Sequence, residues 1–128
     1  MPRRNTRFAD DVAATLDAGK SVRIRAGDGR HRFIGIWMVV VQGRLFVRSW
    51  SLKPRSWYRA FLSDPRGAIS VGRKKFAVRA IHTRSERIKK AVDKAYLSKY
   101  GAGGSLRYAR DLVRPKSRNT TTELVPLR

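Results

Sequence analysis

The chain contains no cysteine, which excludes disulfides, thiolate metal ligands and a cysteine nucleophile. Its two histidines, His31 and His82, are too few for an ordinary zinc site, and neither has a neighbour in sequence that would orient it as a general base. Acidic residues are scarce as well. Only 9 Asp and Glu are present, no two of them fall in a recognised catalytic pair, and Asp64 before Pro65 reads as a turn residue. No run approaches the roughly 18 to 20 apolar residues of a membrane span, and Met1-Pro-Arg-Arg is not followed by the apolar region of a secretory signal. The expected setting is the cytoplasm, and a membrane is not an expected partner.

What the chain has in excess is positive charge. Thirty Lys and Arg give a formal net charge of +21 over 128 residues, and 21 of the 30 are arginine. Such a charge attracts phosphate-rich polymers and anionic ligands, so nucleic acid is a possible partner. The cations run evenly from Arg3 to Arg128, however, and an even scatter is weaker evidence for a nucleic-acid groove than a stripe would be. Apolar residues, at 41%, are grouped in short runs between Gly, Pro and Asp, as in a folded chain. Residues 1–128 are read as one domain.

Phe8, Val12 and Leu16 have helical spacing, which predicts a helix over 6–18 inside an N-terminal segment 1–19, with Gly19 as a left-handed cap. Residues 21–83 carry strand patterns. Val22 and Ile24 alternate with Arg23 and Arg25. The run Phe33 to Val41 (FIGIWMVVV) is apolar on both faces and so needs cover on both sides, from a helix or a second subunit. Trp37, within it, is expected in the core. Gln42-Gly43 turns the chain into a strand whose alternation puts Leu45, Val47 and Ser49 on one face and Phe46, Arg48 and Trp50 on the other. Ser56 is a plausible N-cap for a short helix WYRAFL, and two strands turning at Gly72-Arg73 follow.

The segment 85–113 reads as helical. Its first part has Ile88, Val92, Ala95 and Tyr96 on one side, with Glu86 to Lys90 and Lys89 to Asp93 as supporting pairs. Residues 120–126 close the chain as a last strand. The fold class is therefore α+β, a six-stranded antiparallel barrel with flanking helices.

Arg-Ser-Trp occurs twice between Val47 and Phe61 (VRSWSLKPRSWYRAF), once at a strand end and once at a helix start, a composition suited to an anion beside a flat ring. The order of an apolar strand, a tight turn, LFVRS, the basic loop and helix KPRSWYRAFL, Asp64-Pro65-Arg66, AISVG and FAVRAI resembles the FMN-binding split barrels of the pyridoxamine 5'-phosphate oxidase-like superfamily, and within it a small uncharacterised bacterial branch. The resemblance implies a split β-barrel, a homodimer with a ligand groove at the interface, and FMN or a deazaflavin as cofactor for an oxidoreductase acting on an unknown small molecule. Carried onto this chain, it implies cofactor binding by Arg48, Ser49, Lys53, Arg55, Ser56 and Trp57. The uncharged IGIWMVVV departs from the basic strand of the vitamin oxidases, which points away from pyridoxamine phosphate as substrate. Beside these expectations stand plainer ones: Arg48 as a solvent-facing strand arginine, Ser56 as a helix cap, and Trp50 and Trp57 as interface filler. The alternative function is nucleic-acid binding, with the barrel as a scaffold.

Overall fold

The structure, a computed structural model, describes residues 7–27, 32–53 and 56–127. The elements in order are α1 (Asp10–Ala18), β1 (Val22–Ala26), β2 (Ile34–Ile36), β3 (Met38–Val41), β4 (Arg44–Val47), α2 (Trp57–Ser63), β5 (Arg66–Val71), β6 (Lys74–His82), α3 (Glu86–Lys99), a 3-10 turn (Gly103–Ser105), α4 (Leu106–Leu112), α5 (Pro115–Arg118) and β7 (Thr122–Pro126). The strands form one antiparallel sheet in the order β2-β1-β5-β6-β7-β4-β3. The two ends of that order, β2 and β3, are consecutive in sequence and separated by Trp37 alone. They are the two halves of the single apolar run, so the six expected strands become seven, and the sheet closes through the chain itself. The result is an α+β split barrel.

Two apolar clusters account for the run being hydrophobic on both faces. Met38 looks into the barrel with Val22, Ile24, Leu45, Val47, Ile69, Val78 and Leu124, an interior plugged by Leu16 of α1 and Phe61 of α2. Val39 looks outward with Phe46, onto Val92, Tyr96 and Tyr100 of α3 and Leu112 of α4. The cover on the second face is thus α3. The β3–β4 hairpin turns on Gln42 and Gly43, both at positive φ (56° and 76°), the pair of angles that matches strand twist in a two-residue turn.

Trp37 departs from the expected core position. It is only half-buried, and the chain bends there out of the ladder. The polar backbone groups freed by the bend are satisfied from α3. Tyr96 Oη donates to the Trp37 carbonyl at 3.1 Å, and Lys99 Nζ donates to the Met38 carbonyl at 3.1 Å. Tyr100 Oη accepts from Met38 N at 3.2 Å and donates to the Lys20 carbonyl at 2.6 Å. Burial pushes the Tyr100 phenol up to about 12, so it stays protonated and keeps both roles. The Tyr100 ring stacks on Trp37 at 4.1 Å and 3°. Tyr100→Phe is expected to lower the unfolding free energy by about 1–3 kcal/mol, because Met38 N is left buried without an acceptor. Urea unfolding followed by tryptophan fluorescence measures this, and a change near zero would show that the bend does not depend on the hydroxyl.

One other expectation is corrected and one is extended. Gly19 is extended (φ −77°, ψ 150°), because the chain leaves α1 and bends through Gly19 and Lys20 toward β1 without a left-handed reversal. The carboxylates of α3 turn to arginines of other elements: Glu86 pairs with Arg118, and Asp93 with Arg48 and Arg118. Arginines brought in by the fold supply charge-assisted hydrogen bonds to these carboxylates, and Lys89 and Lys90 act on Glu86 through charge alone.

Candidate functional site

Beyond Val47, β4 keeps its alternation for two more residues, and this decides where the first Arg-Ser-Trp goes. Arg48 shares the outward face with Phe46 and so runs beneath α3 and α4. Its side chain is fully enclosed. Nε donates to Thr121 Oγ1 at 2.9 Å, and Nη1 donates to Asp93 Oδ1 at 2.6 Å and to the Leu112 carbonyl at 2.9 Å. Nη2 donates to the Lys89 carbonyl at 3.0 Å. Burial pulls this guanidinium below its ordinary value, and Asp93 opposes the shift. Arg48 is therefore neither a solvent-facing arginine nor a group open to a ligand; it is the joint between β4, α3, α4 and β7.

Ser49, on the inward face, is buried too. Its N–H donates to Thr120 Oγ1 at 2.8 Å, and its hydroxyl donates to the Ser51 carbonyl at 2.7 Å, tightening the start of the loop. In the second triplet Ser56 caps α2, its hydroxyl accepting from Arg59 N at 3.3 Å. Trp57 packs edge-on to Phe61 at 6.0 Å, half-buried against the barrel core rather than presented as a stacking platform. Lys53 is exposed. Arg55 lies outside the described residues.

What remains open to solvent is the loop between the triplets and the aromatic surface behind it. Trp50 (43% exposed) meets Trp37 edge-on at 5.7 Å and Tyr108 of α4 at 6.5 Å. Tyr108 is 44% exposed and Leu52 38%. Cations stand at both margins. Arg59 Nε donates to the Leu52 carbonyl at 3.2 Å, which holds it beside Lys53, and Arg107 lies over the Tyr108 ring at 5.2 Å. Trp50 was legible in the sequence, but Tyr108 and Arg107 were not, since nothing in the pattern brings residues so far along the chain against the first triplet. The arrangement offers an apolar surface of two exposed rings set nearly perpendicular, at 84°, with positive charge around it, where one ring can stack on a planar anionic molecule and the other meet its edge.

Acid–base and metal chemistry find little here. His82 Nε2 is shared between the Asn119 carbonyl at 2.8 Å and Tyr58 Oη at 3.4 Å. Among the described residues no cluster of side chains is placed to hold a metal ion, and no helix is long and apolar enough to cross a membrane. A cleft of about 280 Å3 opens elsewhere, between α1 and the β5–β6 hairpin, lined by Asp11, Val12, Val71, Arg73, Lys74 and Phe76 among others.

A bacterial family described as an uncharacterized protein conserved in bacteria (DUF2255) matches residues 13–124. No curated protein matches the chain. Among solved structures, a candidate pyridoxamine 5'-phosphate oxidase from Listeria innocua superposes with a TM-score of 0.64 at 13% identity, over 93% of each chain. A FAD-binding protein from Mesorhizobium loti does so with 0.53 at 13% identity, over 94% of this chain and 91% of the other. An F420 reductase gives 0.54 at 13% identity, over 94% of this chain and 97% of the other. At that identity these likenesses establish the fold.

Proposed function

The chain belongs to the bacterial family DUF2255, and on that footing we propose that it binds a flavin-type cofactor, FMN or a deazaflavin, and serves as an oxidoreductase for a small molecule. The observation that carries the reading is the solvent-facing ledge of Trp50 and Tyr108, rimmed by Lys53, Arg59 and Arg107, on a split-barrel frame. The FAD-binding protein and the F420 reductase named above share that frame, which supports the choice of cofactor class.

The two ends of such a cofactor fit differently. The ring fits, because one of the two aromatics, set at 84° to each other, gives it a face and the other an edge, beside exposed Leu52. The phosphate does not fit the strand end, because Arg48, Ser49 and Ser56 are each engaged within the protein. In this proposal the anionic tail is met by Lys53 and Arg59, and by a second protomer across a dimer groove. A bound flavin or deazaflavin would supply the hydride chemistry, and this chain's residues orient the ring, shield it and neutralise its tail. No proton-transfer role is assigned to any side chain.

Titration with FMN and with F420, read by quenching of their fluorescence, tests the reading. Micromolar binding is expected, weakened about tenfold or more in Trp50→Ala/Tyr108→Ala by loss of roughly 1–3 kcal/mol of stacking. Failure of both cofactors to bind, or equal binding by the double variant, would reject it.

A further inference from the structure

The sheet order turns scattered cations into rows. Strands β1, β5 and β6 lie side by side and contain Arg23, Arg25, Arg66, Lys74, Lys75 and Arg79, with no Asp or Glu. In β1, Val22, Ile24 and Ala26 are buried, so Arg23 and Arg25 point out of the barrel. The register extends that outward face across the sheet. Arg23 stands opposite Ser70 and Ser70 opposite Lys75; Arg25 opposite Ala68 and Ala68 opposite Ala77; Arg66 opposite Arg79. With strands about 4.8 Å apart, Arg23 and Lys75 are roughly 10 Å apart across a floor of serine and alanine side chains.

Phe33 is the aromatic element of this face. Its ring lies under the Arg25 guanidinium at 4.5 Å and within 5.4 Å of Lys75 Nζ. Arg25 Nε is buried and has no hydrogen-bond partner among the described residues. Asp64 neutralises Arg66, at 3.2 Å, and Glu123 on the neighbouring strand is occupied by Arg44 at 2.8 Å. Arg23, Arg25, Lys75 and Arg79 enter no ion pair among the described residues. Like charges in neighbouring rows of a sheet repel one another, so a folded chain that keeps them gains from an anionic occupant.

We propose that the outer face of β1, β5 and β6 binds single-stranded nucleic acid, the cations following the phosphate backbone and Phe33 stacking on a base. Charge complementarity selects a polyanion, and a half-open aromatic ring among the cations favours an unpaired strand over a duplex. The face is separate from the Trp50 ledge, so this reading stands whether or not a flavin binds.

Fluorescence anisotropy with labelled oligo(dT), oligo(U) and a matching duplex tests it across a salt series. Four forms of the full chain are compared: wild type, Arg23→Ala/Arg25→Ala/Lys75→Ala, Phe33→Ala, and Lys89→Ala/Lys90→Ala/Lys94→Ala on α3, which removes the same charge elsewhere. Single strands are expected to bind the wild type with a log–log salt slope that shrinks by about 2 in the face variant, at roughly 0.7 for each phosphate no longer neutralised. The α3 variant should keep most of that slope. Phe33→Ala should weaken single-strand binding about tenfold and spare the duplex. Circular dichroism and sedimentation check that each variant keeps its fold and mass. The proposal is overturned by absence of single-strand binding at low salt, by equal losses in the two triple variants, or by a change of oligomeric mass in the face variant alone.

Discussion

Arg48→Ala is expected to lower the unfolding free energy by about 3–5 kcal/mol, the sum of two buried carbonyls left without a donor and of the void left by a large side chain. The change withdraws the donor that Thr121, Asp93, Leu112 and Lys89 share, and it opens a void where β4 passes beneath α3 and α4. Asp93 keeps Arg118 at 2.9 Å, so its charge is not stranded; the larger loss comes from the carbonyls and the packing. Guanidinium denaturation of the purified variant measures the effect, and the cycle with Asp93→Asn apportions the pair. A loss under about 1 kcal/mol would mean that Arg48 is available to solvent or ligand, as a surface arginine would be. A loss of flavin affinity in this variant reports folding before it reports a contact.

Phe46→Ala should cost about as much, 3–5 kcal/mol, through lost packing alone. Phe46 is fully buried between the outer face of β4 and Val92, Tyr96, Tyr100, Ala109 and Leu112. The helices around it stay attached to the barrel by their remaining side chains and collapse only in part, so a cavity persists. Thermal unfolding in the calorimeter is the suitable measurement. A fall in the transition temperature comparable to that of an exposed substitution, such as Leu62→Ala, would show that α3 is held elsewhere.

Local rules made much of the fold readable. The cap at Ser56, the turns at Gly43 and Gly72 and the stripe of α3 are all decided within a few residues of chain. The alternation of β4 also held, and it correctly put Leu45 and Val47 on one face and Phe46 and Arg48 on the other. The break at Trp37 was invisible because its neighbours all favour strand; the tyrosines and lysine that satisfy the bend lie about 60 residues away in sequence. The destination of Arg48 was hidden for the same reason, since Asp93 is 45 residues distant. The even spread of cations along the chain gave no hint of the rows they form. Those rows exist only once β5 and β6 are laid beside β1, a non-local decision that periodicity does not contain.

The bend at Trp37 also bears on how molecules of this protein meet one another. An open sheet ordinarily ends in two straight strands whose unpaired amides and carbonyls template aggregation. Here both terminal strands are pieces of one segment, 3 and 4 residues long, interrupted at Trp37. Neither piece is long enough to recruit a neighbouring chain in register. A stretch that by composition is the most amyloid-like of the sequence, IGIWMVVV, is thereby kept out of edge-to-edge association by its own interruption.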